Sequence, residues 1–191
     1  MSAELFEAVK SGNIDAARRM LADGADVTAR DSEGATLLMT AAHSGNLAMV
    51  MELIEAGADV NAGDELGWTP LMKAAYSPDM GRGFVDVVQA LVDAGADVEA
   101  PIGYGVRPLM LAAGYGETAV VETLLNAGAD VTARNEGGFT ALMMVKQKHY
   151  VDVINLLHEA EQEAGVGEGS CASKNAPGSN VVTFLKPKSK S

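Results

Sequence analysis

Basic residues are in short supply: 14 Lys and Arg stand against 26 Asp and Glu, a formal net charge of −12. That balance argues against a nucleic-acid or anionic-membrane surface and against acidic substrates, and favours a cationic partner where charge steers encounter. Cysteine is nearly missing, and the single Cys171 excludes any internal disulfide. No run approaches the ~18 apolar residues that a membrane span needs. The opening MSAELFEAVKSGN has neither the basic n-region nor the apolar h-region of a secretory signal. A soluble, cytoplasmic chain is expected. Aromatic side chains are also few: Phe, Tyr and Trp total nine in 191 residues. The chain is nevertheless 48% hydrophobic, enough to fill a core without recourse to disorder.

What is plentiful is repetition. GADVTAR occurs at residues 24–30 and again, letter for letter, at 128–134. Gly-Ala-Asp begins at Gly24, Gly57, Gly95 and Gly128, with spacings of 33, 38 and 33. Thr36, Thr69, Arg107 and Thr140 share a column, as do Leu38, Leu71, Leu109 and Leu142. Alanine pairs recur at 41–42, 74–75 and 112–113. The long spacing has a local origin, the five extra residues Pro78–Arg82 (PDMGR). A fixed period of this length marks a stack of small units.

Each unit reads as two short helices and a turn. Thr36 suits an N-cap, and Thr69-Pro70 adds proline at the first helical position, where a missing N–H costs nothing. The first helices are expected to end near Gly45 and Gly83. Leu47, Val50, Leu53 and Ile54 then form one apolar helical stripe, repeated as Val85, Val88, Leu91 and Val92. The glycine of each Gly-Ala-Asp stops the second helix, and stretches such as ADVNAGDELGW suit a hairpin turn. A single 33-residue unit cannot bury its own apolar face, whereas a stack can. Five units follow: about 1–31, 32–64, 65–101, 102–135 and 136–165. The first lacks a leading hairpin, and the last has Glu161 in the glycine column and Lys146 in the alanine pair, as polar end caps would.

On these residues, above all GWTPLMKAAYS and GFVDVVQALVDAGADVEA, the chain closely resembles the ankyrin repeat over residues 1–165. The resemblance implies an all-α solenoid with short β-hairpin fingers. It also implies a concave surface, lined by finger tips and first helices, that grips a protein. Two departures stand out. Met39, Met72, Met110 and Met143 occupy the place of the family's usual histidine and are expected to pack in the core. Arg107 replaces a capping threonine.

No reaction signature is visible. His43, His149 and His158 lie in different units without a second ligand type at metal-like spacing, and Cys171 sits in a Gly/Ser-rich context with nothing to lower its pKa. There is no phosphate-binding loop and no nucleophile elbow. Asp26, Asp59, Asp97 and Asp130 belong to the repeat itself. Neither cofactor nor metal is expected, and the reading is that the chain is not an enzyme. A site assembled across several units would be the exception.

Mapped on the resemblance, the finger-tip column is Ala35, Trp68, Val106 and Phe139, with Leu66 and Tyr104 two residues earlier in their units. After the alanine pairs come Tyr76 and, one column on, Tyr115. Five of the nine aromatics therefore fall on the expected binding face, all in units three to five. Lys73 and Met144 share the remaining inner-helix column and flank the patch. Trp and Tyr often dominate binding energy, so loss of Trp68 is expected to weaken binding while leaving the fold intact. The expected partner is a protein with a basic surface, bound by an array that is monomeric alone and acts as adaptor, inhibitor or regulator. An architectural role, masking or stabilising a complex, is the alternative. From Val166 the composition turns to a Gly/Ser-rich linker followed by VVTFLKPKSKS. With four lysines and one acid this tail carries +3, leaving −15 on residues 1–165. It is expected to stay free, to fold back on the acidic array or to dock elsewhere.

Overall fold

The computed structural model describes residues 2–76 and 82–165. Ten α-helices follow in five pairs: α1 (Ser2–Lys10) with α2 (Ile14–Ala22), α3 (Leu37–His43) with α4 (Leu47–Glu55), α5 (Pro70–Ala75) with α6 (Val85–Asp93), α7 (Pro108–Tyr115) with α8 (Thr118–Asn126), and α9 (Ala141–Val145) with α10 (Val151–Glu163). First helices pack on first helices and second helices on second helices, so the chain is an all-α solenoid of two helical layers. No helix among the described residues is long and apolar enough to cross a membrane.

The repeat columns become the core. Ala41, Ala42, Ala74, Ala75, Ala112 and Ala113 are fully buried, which lets neighbouring first helices approach closely. Val50, Leu53, Val88 and Leu91 fill the second layer without exposure. The Met39, Met72 and Met110 side chains are buried as expected, but Met143, in the last of the described units, is exposed. The Met39 sulfur does more than fill space. The Thr36 N–H donates to Met39 Sδ (3.5 Å) while the Met39 N–H donates to Thr36 Oγ1 (3.2 Å), a reciprocal cap in which a weak sulfur acceptor replaces the usual carboxylate or amide.

Helix ends follow the residues that stand there. Gly128 takes φ 88° directly after α8 and its cap, a conformation that costs glycine nothing. Glu161 stands in the same column of the last unit, and there α10 runs on to Glu163, giving 13 residues where α8 has 9. Arg107 provides no side-chain cap for α7; Pro108 still opens that helix, and the guanidinium instead reaches the Arg134 carbonyl (3.0 Å) and the Glu99 carboxylate (3.0 Å).

One expectation needs correction: α5 ends at Ala75 and not near Gly83, because Tyr76 takes extended backbone (φ −156°, ψ 127°) ahead of the insertion. The Phe84 N–H then returns to the Ala74 carbonyl at 2.8 Å. Pro78, Asp79, Met80 and Gly81 lie outside the described residues; Arg82 sits 5.4 Å from the Phe84 ring. The tail from 166 also lies outside them. The fingers are short turns, each closed by a backbone hydrogen bond. Asp31, Asp64, Ile102 and Asn135 each donate a backbone N–H to the carbonyl of Ala35, Trp68, Val106 and Phe139, at 2.9–3.1 Å. Among the described residues only the isolated bridges Arg30–Thr36 and Ile102–Val106 accompany them.

Candidate functional site: the finger tips and first helices of units three to five

Side-chain acceptors set the fingers' shape. Asp64 Oδ1 accepts from the Leu66 and Trp68 N–H groups (3.0 and 2.8 Å), and Asn135 Oδ1 accepts from the Phe139 N–H (3.0 Å). These turns use a short polar side chain to mimic a backbone turn. The fourth unit has Ile102 in that column and no such acceptor. Its finger winds into a single 3₁₀ turn, Gly103–Gly105, and Tyr104 adopts φ 62°, ψ 19°. Among the described residues Tyr104 is the one non-glycine residue with positive φ. Holding an L side chain there costs roughly 1–2 kcal/mol. Its carbonyl accepts the Glu136 N–H (2.9 Å), which ties this finger to the next.

The strain presents a ring to solvent. Tyr104 is 81% exposed, Leu66 74%, Phe139 52% and Tyr115 47%. The remaining candidates are engaged with their own unit or the next. Trp68 is half-buried against the core, with Lys73 Nζ 5.0 Å from its ring centre. The same ammonium lies 3.2 Å from Asp64 Oδ2, so the acid that shapes the finger also holds the lysine over the indole. Tyr76 and Tyr115 stack with ring centres 3.5 Å apart and planes at 4°. The extended backbone at Tyr76 is what carries its ring across to the neighbouring helix. Tyr115 also closes one side of a recess of about 270 Å³ between α7 and α9, with Met110, Leu111 and Met144 in its wall and Lys148 at its edge.

The structure thus brings together Trp68 with Lys73, Tyr76 with Tyr115, and Tyr115 with Met144, while Leu66, Tyr104 and Phe139 stand out singly at the turns. The burial of Trp68 bears on its substitution: truncation would disturb core packing as well as any contact. Three features escaped the sequence. The Tyr76–Tyr115 stack joins two columns that alignment sets one residue apart. The backbone of Tyr104 has no signal beyond the missing Asp or Asn at position 102. Tyr150 lies so close to Gly116 that a β-carbon there would meet its ring at 2.8 Å, a contact that no repeat column signals.

Among the described residues no three His, Cys, Asp or Glu side chains converge as metal ligands. The shifted carboxylates are structural. The Thr132 hydroxyl and N–H donate to Asp130 Oδ1 (2.7 and 2.8 Å) and hold that carboxyl below its ordinary value of 3.8; Thr28 does the same to Asp26 (2.6 and 2.8 Å). A folded value below the unfolded one contributes stability that is complete above the unfolded pKa and is lost as pH falls through the folded pKa. The double variant Thr28→Val/Thr132→Val is therefore expected to be less stable than the parent at neutral pH, with the gap closing in acid. Denaturant titrations across that range check it, and a gap independent of pH would contradict it.

The family model described as ankyrin repeats (3 copies) matches residues 5–102 and, in a second overlapping match, 86–168. No curated protein sequence matches the chain. The two matches span nearly all the described helices, and five helix pairs joined by tight finger turns are the architecture that such repeats build. The chain belongs to the ankyrin-repeat family.

Proposed function

We propose that this chain is a non-catalytic binding module that grips a protein partner with the finger tips and first helices of units three to five, as an adaptor, inhibitor or regulator. Ankyrin repeats are in general protein–protein interaction modules, which places binding first among its roles. The observation that carries the choice of surface is Tyr104, a large ring 81% exposed on backbone that disfavours it. Strain is kept where something offsets it, and an exposed ring on a turn offsets nothing within its own fold. Leu66 and Phe139 are exposed at the neighbouring finger turns and Tyr115 at the end of α7, with Trp68, Lys73, Tyr76 and Met144 in the same units. A standard interface needs about 800 Å² per partner, within the reach of three units. The −15 field of the array speeds encounter with a basic partner, while the contact itself is apolar and aromatic.

The test is affinity capture from the native cell with the parent and a Tyr104→Ser/Phe139→Ser variant side by side. A protein retained by the parent and lost from an equally well-folded variant supports the reading. Identical capture by both would sink it.

A further inference from the structure

The second-helix layer has a different chemistry. α4, α6, α8 and α10 hold nine Asp and Glu and no Lys or Arg. α3, α5, α7 and α9 hold no acid and a single lysine, Lys73. Within units two to five, the acids that lie on helices are thus all on the second-helix layer. Between α8 and α10 it opens into a recess of about 390 Å³. Leu125, Leu156 and Ala160 give this recess an apolar floor, and Glu122, Glu159 and Glu163 stand around it. The extra turn of α10, permitted by Glu161 in place of the glycine stop, carries Glu163 into its wall.

We propose that this recess is the docking site of the chain's own segment Val181–Lys190. Three observations select that occupant. The segment joins Val181, Val182, Phe184 and Leu185 to Lys186, Lys188 and Lys190, matching an apolar floor ringed by carboxylates. Glu163 and Ala164 line the recess and the described residues end at Gly165, so the tail departs from its rim. The intervening residues 166–180 are rich in Gly, Ser and Ala. Fifteen such residues span roughly 20 Å as a coil, far enough to return and short enough to hold the segment at millimolar effective concentration. Charge then supplies orientation, because the lysines meet carboxylates only when the apolar run faces the floor.

The experiment uses the full chain with Cys171→Ser and Ser189→Cys, a nitroxide on the new thiol and 15N labelling throughout. Docking predicts strong paramagnetic broadening of the Leu125, Leu156 and Glu163 amides in samples where labelled and 15N molecules are the same. It predicts recovery of those signals in molar salt and in a Phe184→Ser variant, a change outside the described residues. Sharp signals at those three amides would overturn the proposal. So would broadening centred on Tyr104 and Phe139, or spread evenly to Glu52 and Glu55 of α4. Equal broadening of those amides when spin-labelled 14N chains are mixed with unlabelled 15N chains would make the contact intermolecular and would also overturn it.

Discussion

Tyr104→Asn is expected to weaken partner binding by about 2 kcal/mol, close to thirtyfold in Kd, and yet to leave the fold more stable. The two effects have separate causes. Binding falls because an exposed ring is lost from the middle one of the three finger turns that carry Leu66, Tyr104 and Phe139. Stability rises because asparagine accepts left-handed backbone far better than tyrosine, and the turn at φ 62° is relaxed by roughly 0.5–1 kcal/mol. Little burial is surrendered, since most of the Tyr104 surface already faces water. Asparagine avoids the entropy that a third consecutive glycine would add between Gly103 and Gly105. Opposite signs in the two readouts are the mark of a residue kept for contact. A variant less stable than the parent, with binding unchanged, would mean that the ring supports the finger and nothing else.

Leu91→Ala is expected to destabilise by about 3 kcal/mol, the range found for leucines deleted from a closed core. Leu91 is fully buried in α6, which packs against both α4 and α8 at the middle of the stack. In a linear array each unit is held only by its neighbours, so a weakened middle unit also loosens the coupling between the halves. Denaturant unfolding followed by circular dichroism should show an earlier and broader transition than the parent. The same change at Leu157, equally buried but in the last unit, should lower the midpoint and leave the first units cooperative. A single sharp transition in Leu91→Ala at the parental midpoint would contradict this view of the core.

Much of this fold could be read from residue columns because each column has one physical task. Small alanines let helices touch, threonines cap, and glycines stop; Glu161, expected only as part of a polar end cap, also lets the last helix run longer. Tasks shared between columns were harder to read. Met143 stands in the same column as Met39, Met72 and Met110 but is exposed in the last of the described units. Gly83 suggested a helix end, whereas the extended Tyr76 decided it earlier. At the candidate site, the repeat columns put five aromatics in units three to five but could not separate Trp68, braced by Lys73 and the core, from Tyr104, which stands free of both. That distinction comes from backbone geometry, and it moves the most informative substitution from Trp68 to Tyr104. The acidic composition was equally plain from sequence, while the contrast between acid-free first helices and acidic second helices in units two to five appears only once the pairs form two layers.

The most direct measurement is side-chain footprinting of the bound complex, comparing oxidation rates with and without the captured partner. The account predicts protection of Leu66, Tyr104, Tyr115 and Phe139, with Met51, an exposed apolar side chain on α4, labelled as fast as before. Protection of Met51 with Tyr104 and Phe139 still fully reactive would place the partner on the opposite layer and contradict it.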